Sequence, residues 1–118
     1  MGLSLTSRRI GNSVVIDMAG VLTVYEENLR EYIRQVLDAG ERSLVLNLAD
    51  ISYLDSAGLG KLVSHFVTVK NAGGDIGLLS PGVRVRELLA ITKLDTVFTV
   101  FENEAALSGS ASARISRV

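Results

Sequence analysis

No cysteine occurs in the 118 residues, and histidine occurs once, at His65. The first absence excludes disulfide scaffolds, thiolate nucleophiles and cysteine-ligated metal sites. It is compatible with a reducing compartment, and a cytoplasmic location is the expectation. The second absence excludes a histidine-rich zinc site and leaves any Ser-His-Asp triad dependent on His65. A dominant charge sign is also lacking: 12 basic against 13 acidic residues give a net charge of -1. Such a balance provides no broad attraction for nucleic acid or anionic lipid, and it suits recognition of a protein surface better. The opening Met1-Gly2-Leu3-Ser4-Leu5 has no basic region followed by a long apolar run, so it does not read as a signal peptide. No apolar stretch approaches transmembrane length, and no membrane insertion is expected.

What is present is a 47% hydrophobic chain, enough for one core in one domain. Leu3-Ser4-Leu5-Thr6 alternates apolar and polar, Val14, Ile16 and Met18 alternate with Val15 and Asp17, and Gly11-Asn12 between the two stretches suits a tight hairpin turn. The period then changes. Leu29, Tyr32, Ile33, Val36 and Leu37 follow helical spacing, with a Thr23/Glu26 capping box before them and Gly40 after them. Leu44 to Leu48 reads as a central strand buried on both faces, followed by a loop over residues 49 to 58. A second helix carries Leu59, Leu62, Val63 and Phe66 on one face and ends at Asn71 to Asp75. Ile76 to Leu79 is a further strand. Ser80 caps a third helix with Pro81 at its first position and Val85, Leu88 and Leu89 inward. Val97 to Phe101 reads as a last strand and Glu102 to Leu107 as a last helical turn or two. Residues 108–118 lose all periodicity and read as a flexible tail beyond a domain spanning 1–107. The order predicts an α/β fold: a single-domain mixed sheet, mainly parallel, with an antiparallel N-terminal hairpin and helices packed on it.

The loop after the central strand lies at the sheet edge where α/β proteins build sites. It holds Asp55-Ser56-Ala57-Gly58-Leu59-Gly60. Either Asp55 or Ser56 can cap the following helix, a role worth about 1 kcal/mol. Gly58 and Gly60 need another reason, because glycine in a helix costs on the order of 0.5–1 kcal/mol. Their presence points to close approach of something to that backbone. A phosphoryl group on Ser56 would meet free N–H groups and the positive end of the helix dipole. It would bring a charge of about -1.5 to -2 beside Asp55. A partner docked there through an apolar or acidic patch would then be repelled.

Enzymatic readings fail on spacing. A phosphate-binding loop ending at Gly60-Lys61 would need glycine at Asp55 and a hydroxyl at Leu62, and the dinucleotide pattern from Gly58 would need Gly or Ala at Val63. The hydrolase elbow would need glycine at Leu54. His65 lies nine positions after Ser56, roughly 13 Å along a helix axis, which is too far for a nucleophile and its base. His65 therefore reads as a surface or boundary residue. No catalytic residue, metal site or cofactor is assigned, and an enzyme is not expected.

The run from Leu44 through Asp50-Ile51-Ser52-Tyr53-Leu54-Asp55-Ser56-Ala57-Gly58-Leu59-Gly60 resembles the strand and signature loop of the STAS-domain family, specifically its bacterial anti-sigma factor antagonists. Asn71-Ala72-Gly73-Gly74 with Ile76 to Pro81, and Val85 to Asp95 with Phe98 and Phe101, are similar to later parts of that family. The resemblance covers roughly residues 3 to 107 and implies a STAS-like fold. It implies that Ser56 is phosphorylated, using ATP, by a cognate anti-sigma factor with serine kinase activity, and that a serine phosphatase resets it. It further implies that the unphosphorylated form binds the anti-sigma factor and frees the sigma factor. The partner surface so implied comprises Asp55, Ser56, Ala57, Gly58, Leu59, Gly60 and Thr23. Family members often carry Gly-Glu-Leu-Asp before the first helix; here the run is Gly20-Val21-Leu22-Thr23, without those acids. That departure keeps a second reading open, a STAS scaffold subunit of a multiprotein signalling or lipid-transport assembly. Ala57 stands where a second hydroxyl is often found, which leaves Ser56 as the phosphoacceptor of the loop.

Overall fold

The computed structural model describes residues 2–23, 25 and 28–108. Alternation at the start produces β1 (Leu3–Ile10) and β2 (Ser13–Leu22), paired antiparallel with Ile10 opposite Ser13. Only two residues close this hairpin, and Gly11 takes the left-handed φ of 59° that the first of them requires. The amphipathic segment forms α1 (Asn28–Asp38) and ends in Gly40 at φ 95°. Thr23 Oγ1 accepts the Tyr25 N–H at 3.3 Å; Glu26, the other half of the expected capping box, lies outside the described residues.

β3 (Ser43–Leu54) is longer than its sequence suggested. The loop expected from residue 49 is strand as far as Leu54, because β2 and β3 stay paired through Ala19 opposite Asp50, Gly20 opposite Ile51 and Leu22 opposite Leu54. Register shifts between Asp17 and Ala19 and between Gly20 and Val21 absorb the irregular spacing. There follow α2 (Ser56–Asn71), β4 (Asp75–Leu79), α3 (Val83–Ile91), a 3-10 turn (Leu94–Thr96), β5 (Thr99–Phe101) and α4 (Ala105–Ser108). The sheet order is β1-β2-β3-β4-β5, and every pair after the hairpin is parallel. This is the expected mixed α/β sheet. Residues 109–118 of the expected tail lie outside the described residues.

Strand alternation sorts the core. Ile16, Met18, Leu44, Leu46, Ile76 and Leu78 face α1, α2 and α3, which bury Leu29, Ile33, Leu59, Leu62, Val85 and Leu89 against them. Phe98 joins this layer and meets Phe66 edge-on at 5.4 Å. The opposite sheet face buries Val15, Val45, Leu79 and Phe101 under Ala106 and Leu107. Beside them a polar group crosses the face: Arg8 donates to Asp17 and Glu104, and Asn47 donates to Asp17. The Arg8 guanidinium holds the Asp17 carboxyl below its usual range. The strand at Leu44–Leu48 is thus apolar on the helix side and mixed on the other.

Two local expectations are corrected. Ser80 does not cap α3. Its N–H donates to the Phe101 carbonyl at 2.8 Å and its hydroxyl to the Glu102 carbonyl at 3.1 Å, while Gly82 occupies the cap position without a side-chain bond. The hydroxyl is committed to β5 and its exit, so the helix starts later. His65 is not a surface or boundary residue: it is 6% exposed. It stands three residues after Leu62 and four before Val69, so the inward stripe of α2 runs through it. No described residue bonds its buried Nε2. Burial, then the cations Lys61 and Arg30, push its pKa down to about 4.

A neutral buried histidine makes stability pH-dependent. Its folded pKa of about 4 lies below the ordinary 6.5, so the unfolded chain binds the proton first as pH falls. The stability it supports is complete above pH 6.5 and declines toward pH 4. Urea unfolding between about pH 7 and pH 4.5 should show a loss on the order of 2 kcal/mol that His65→Leu lacks. The carboxylate contribution of Asp17 falls away below its ordinary 3.8 and lies outside this window. Equal slopes in the two proteins would refute the assignment.

Candidate functional site

β2 and β3 both end at one sheet edge, at Leu22 and Leu54, and α2 begins there. The chain turns from strand to helix through a single residue. Asp55 stays extended, with φ -106° and ψ -178°, and its Oδ1 accepts the Gly58 N–H at 2.7 Å. Its carbonyl accepts the Leu59 N–H at 2.9 Å. Of the two candidate caps, the structure therefore uses Asp55. Ser56, the first helical residue, is exposed, and its hydroxyl has no hydrogen bond within the described residues. The N–H groups of Ser56 and Ala57 lie in the helix's first turn, where backbone donors have no intrahelical acceptor.

The two glycines have different reasons. A Cβ on Gly58 would stand 2.0 Å from the Leu22 carbonyl oxygen and 3.3 Å from the Thr23 N, so the close approach is internal: the end of β2 lies against the start of α2. A Cβ on Gly60 would meet nothing within 4 Å, and the residue is exposed. Of the seven residues expected to meet a partner, Ser56, Ala57 and Gly60 lie on the surface. Asp55 and Thr23 are half-buried, and Gly58 and Leu59 face inward, Leu59 at 3% exposure. These last two shape the surface without forming it.

Sequence reasoning missed the residues beside this surface. Tyr53 is 53% exposed, and with Ile51, Ser52, Leu54, Arg84 and Val85 it lines a shallow cleft of about 60 Å³. Small-molecule sites usually need about 300–1,000 Å³. Tyr53 was missed because the apolar positions change phase after Leu48, where the pairing of β2 with β3 shifts register, and the segment reads as loop. A larger cavity of about 250 Å³, lined by Ser13, Ser43, Phe66, Lys70 and Asp75 among others, lies at the opposite end of the strands. The Lys70–Asp75 ion pair, 2.7 Å, lies in its wall. Among the described residues no three His, Asp or Glu side chains gather as a metal cluster would require, and no helix is long and apolar enough to cross a membrane.

A mixed sheet with α1, α2 and α3 on one face and the short α4 on the other, and a strand-to-helix junction that leaves a serine exposed, place this chain in a defined class. Residues 5–107 match the model of the STAS domain, and the chain belongs to that family. The anti-sigma-B factor antagonist of Bacillus subtilis is 32% identical over 101 residues, covering 85% of this chain and 92% of that protein. A Thermotoga neapolitana relative is 34% identical over 68 residues, covering 58% of this chain and 60% of its own length. The Bacillus cell fate determinant SpoIIAA, solved in its phosphorylated form, shares the fold with TM-score 0.63 at 21% identity, over 82% of this chain and 90% of that one.

The two glycines predict opposite responses to alanine. Gly58→Ala forces the Leu22 carbonyl aside and should cost about 2–3 kcal/mol. Gly60→Ala removes backbone entropy at an open helical position and should add about 0.5–1 kcal/mol. Thermal and urea unfolding of the pair checks this, and a Gly58→Ala protein as stable as the parent would contradict the packing described.

Proposed function

We propose that this chain is an anti-sigma factor antagonist switched at Ser56. Unphosphorylated, it docks through the α2 start on a cognate anti-sigma factor with serine kinase activity, and the sigma factor is released. The kinase transfers the γ-phosphoryl group of ATP to Ser56 Oγ: the new O–P bond forms, the bond to ADP breaks, and a base on the kinase takes the hydroxyl proton. A serine phosphatase removes the group by hydrolysis. In this reading the chain is a regulatory binding protein and works in the cytoplasm.

The observation that carries the proposal is the division of roles at the junction. Asp55 performs the capping, so Ser56 keeps an exposed hydroxyl with no competing bond among the described residues. Chemistry on that oxygen leaves the cap intact. The helix start tolerates the added anion through its dipole and free N–H groups. The surface gains about -1.5 to -2 charges next to the Asp55 carboxylate, which is enough to expel an acidic or apolar partner. The named functions of the curated relative and the phosphorylated state of the fold neighbour agree with this reading.

The test is incubation with the anti-sigma kinase of the source organism and ATP, followed by intact mass and peptide mapping. One phosphate is expected on Ser56, and none on Ser56→Ala. Ser56→Ala should retain binding to the anti-sigma factor, whereas Ser56→Asp should lose roughly tenfold or more. Absence of both phosphate and binding would sink the proposal. Full activity in both variants would instead favour the scaffold role.

A further inference from the structure

β3 outruns its neighbour on one side. Its pairing with β4 stops at Asn47 opposite Leu79, whereas its pairing with β2 continues to Leu54. The last part of β3 therefore has a strand on one side only. The start of α3 stands near the open side, with Arg84 and Val85 across the cleft from Ile51, Ser52, Tyr53 and Leu54. Ser56 follows two residues after Leu54, so this cleft and the serine belong to one surface.

We infer that Tyr53 and Arg84 are the partner-reading half of that surface, with Arg84 receiving a carboxylate of the docked anti-sigma factor and Tyr53 packing on an apolar side chain beside it. The inference rests on the docking reading above and names the chemistry of the partner. Three observations carry it. First, Arg84 has no ion pair or hydrogen bond among the described residues, while Arg8, Arg9, Arg34 and Arg86 each meet a carboxylate of this chain. Second, the residues lining the cleft with Arg84 include no Asp or Glu, so an incoming carboxylate meets no like charge there. Third, Tyr53 is 53% exposed and lines the same cleft as Arg84, which puts a large aromatic ring and a guanidinium without a partner among the described residues on one small surface. Tyrosine and arginine dominate the energetics of protein interfaces, and the planar guanidinium favours a carboxylate in two-point contact. A carboxylate at this place also sharpens the switch. It would lie on the surface that gains a phosphoryl group at Ser56, and the two anions would repel.

The experiment titrates the unphosphorylated full chain with each purified anti-sigma factor of the source organism by calorimetry. For the one that binds, Arg84→Glu should weaken affinity roughly tenfold or more, Arg84→Lys by less, and Tyr53→Ser by several-fold. Lys93→Glu, the same charge change on a residue outside the cleft, should stay within about twofold of the parent. The gap between parent and Arg84→Glu should narrow from about 0.05 M to about 0.5 M salt, as screening requires. Amide shift mapping on the unaltered protein needs no variant, and should place Tyr53 and Arg84 among the residues perturbed by the anti-sigma factor. If Ser56 and Ala57 shift while Tyr53 and Arg84 do not, or if Arg84→Glu binds as the parent does, this inference falls and the Ser56 docking stands. If the parent binds none of the anti-sigma factors, both fall.

Discussion

The contact between Gly58 and the Leu22 carbonyl sets the geometry of the working edge. Three chain segments converge there: the end of β2, the end of β3 and the first turn of α2. A side chain of any size at position 58 would overlap the Leu22 oxygen, at 2.0 Å for a bare Cβ. Only with hydrogen at that place can α2 start directly beside the exit of β2. The consequence is that the first turn of α2 is pinned to the sheet by its inner side, through Gly58 and Leu59, and its outer side is left to solvent. Ser56, Ala57 and Gly60 are exposed because Gly58 and Leu59 are not.

That arrangement separates the residue that holds the helix from the one that presents a hydroxyl to solvent. Helix starts need an acceptor for their free N–H groups, and serine and aspartate compete for the task. With Asp55 extended and bonded to Gly58, the aspartate holds the helix and the serine is spare. Had the roles been reversed, modifying the serine would remove the cap and loosen the helix with it. As built, charge can be added at Ser56 with the supporting bond unaffected. The effect of the anion is then confined to the surface and to whatever docks on it.

Much of this was legible in the sequence, because the element types follow from periodicity. The hairpin at Gly11-Asn12, the period of α1 and the alternation of strand and helix gave the sheet and its helical layer. The loop motif located Ser56 and narrowed the cap to two residues. What escaped was whatever depends on neighbours distant in sequence. The length of β3 is set by continued pairing with β2 through two register shifts, which no local pattern in residues 49–54 announces. The Ser80 hydroxyl is taken by Glu102, 22 residues on. His65 looked like boundary because histidine is polar, yet its spacing to Leu62 and Val69 puts it on the inward stripe. Gly58 was read correctly as a place of close approach, but the approaching group is the chain's own Leu22.

The same geometry argues for a surface that binds over a pocket that catalyses. Activation of Ser56 would need a base within hydrogen-bond reach. Burial, then Lys61 and Arg30, weigh against protonation of His65, and its place on the buried stripe of α2 keeps it from the exposed serine. Asp55 is the nearest carboxylate in sequence, but its Oδ1 is engaged by the Gly58 N–H, and drawing the group toward the hydroxyl would undo the helix start. The adjoining cleft, about 60 Å³, encloses too little volume to isolate a substrate from water. An exposed hydroxyl that no base among the described residues engages is poorly suited to act on a substrate and well placed to be acted on. The base, the nucleotide and the enclosure would come from a second protein, which must therefore cover this edge to modify it. In the proposed switch, docking and modification would share one footprint, and a group left on Ser56 would stand inside the contact that delivered it.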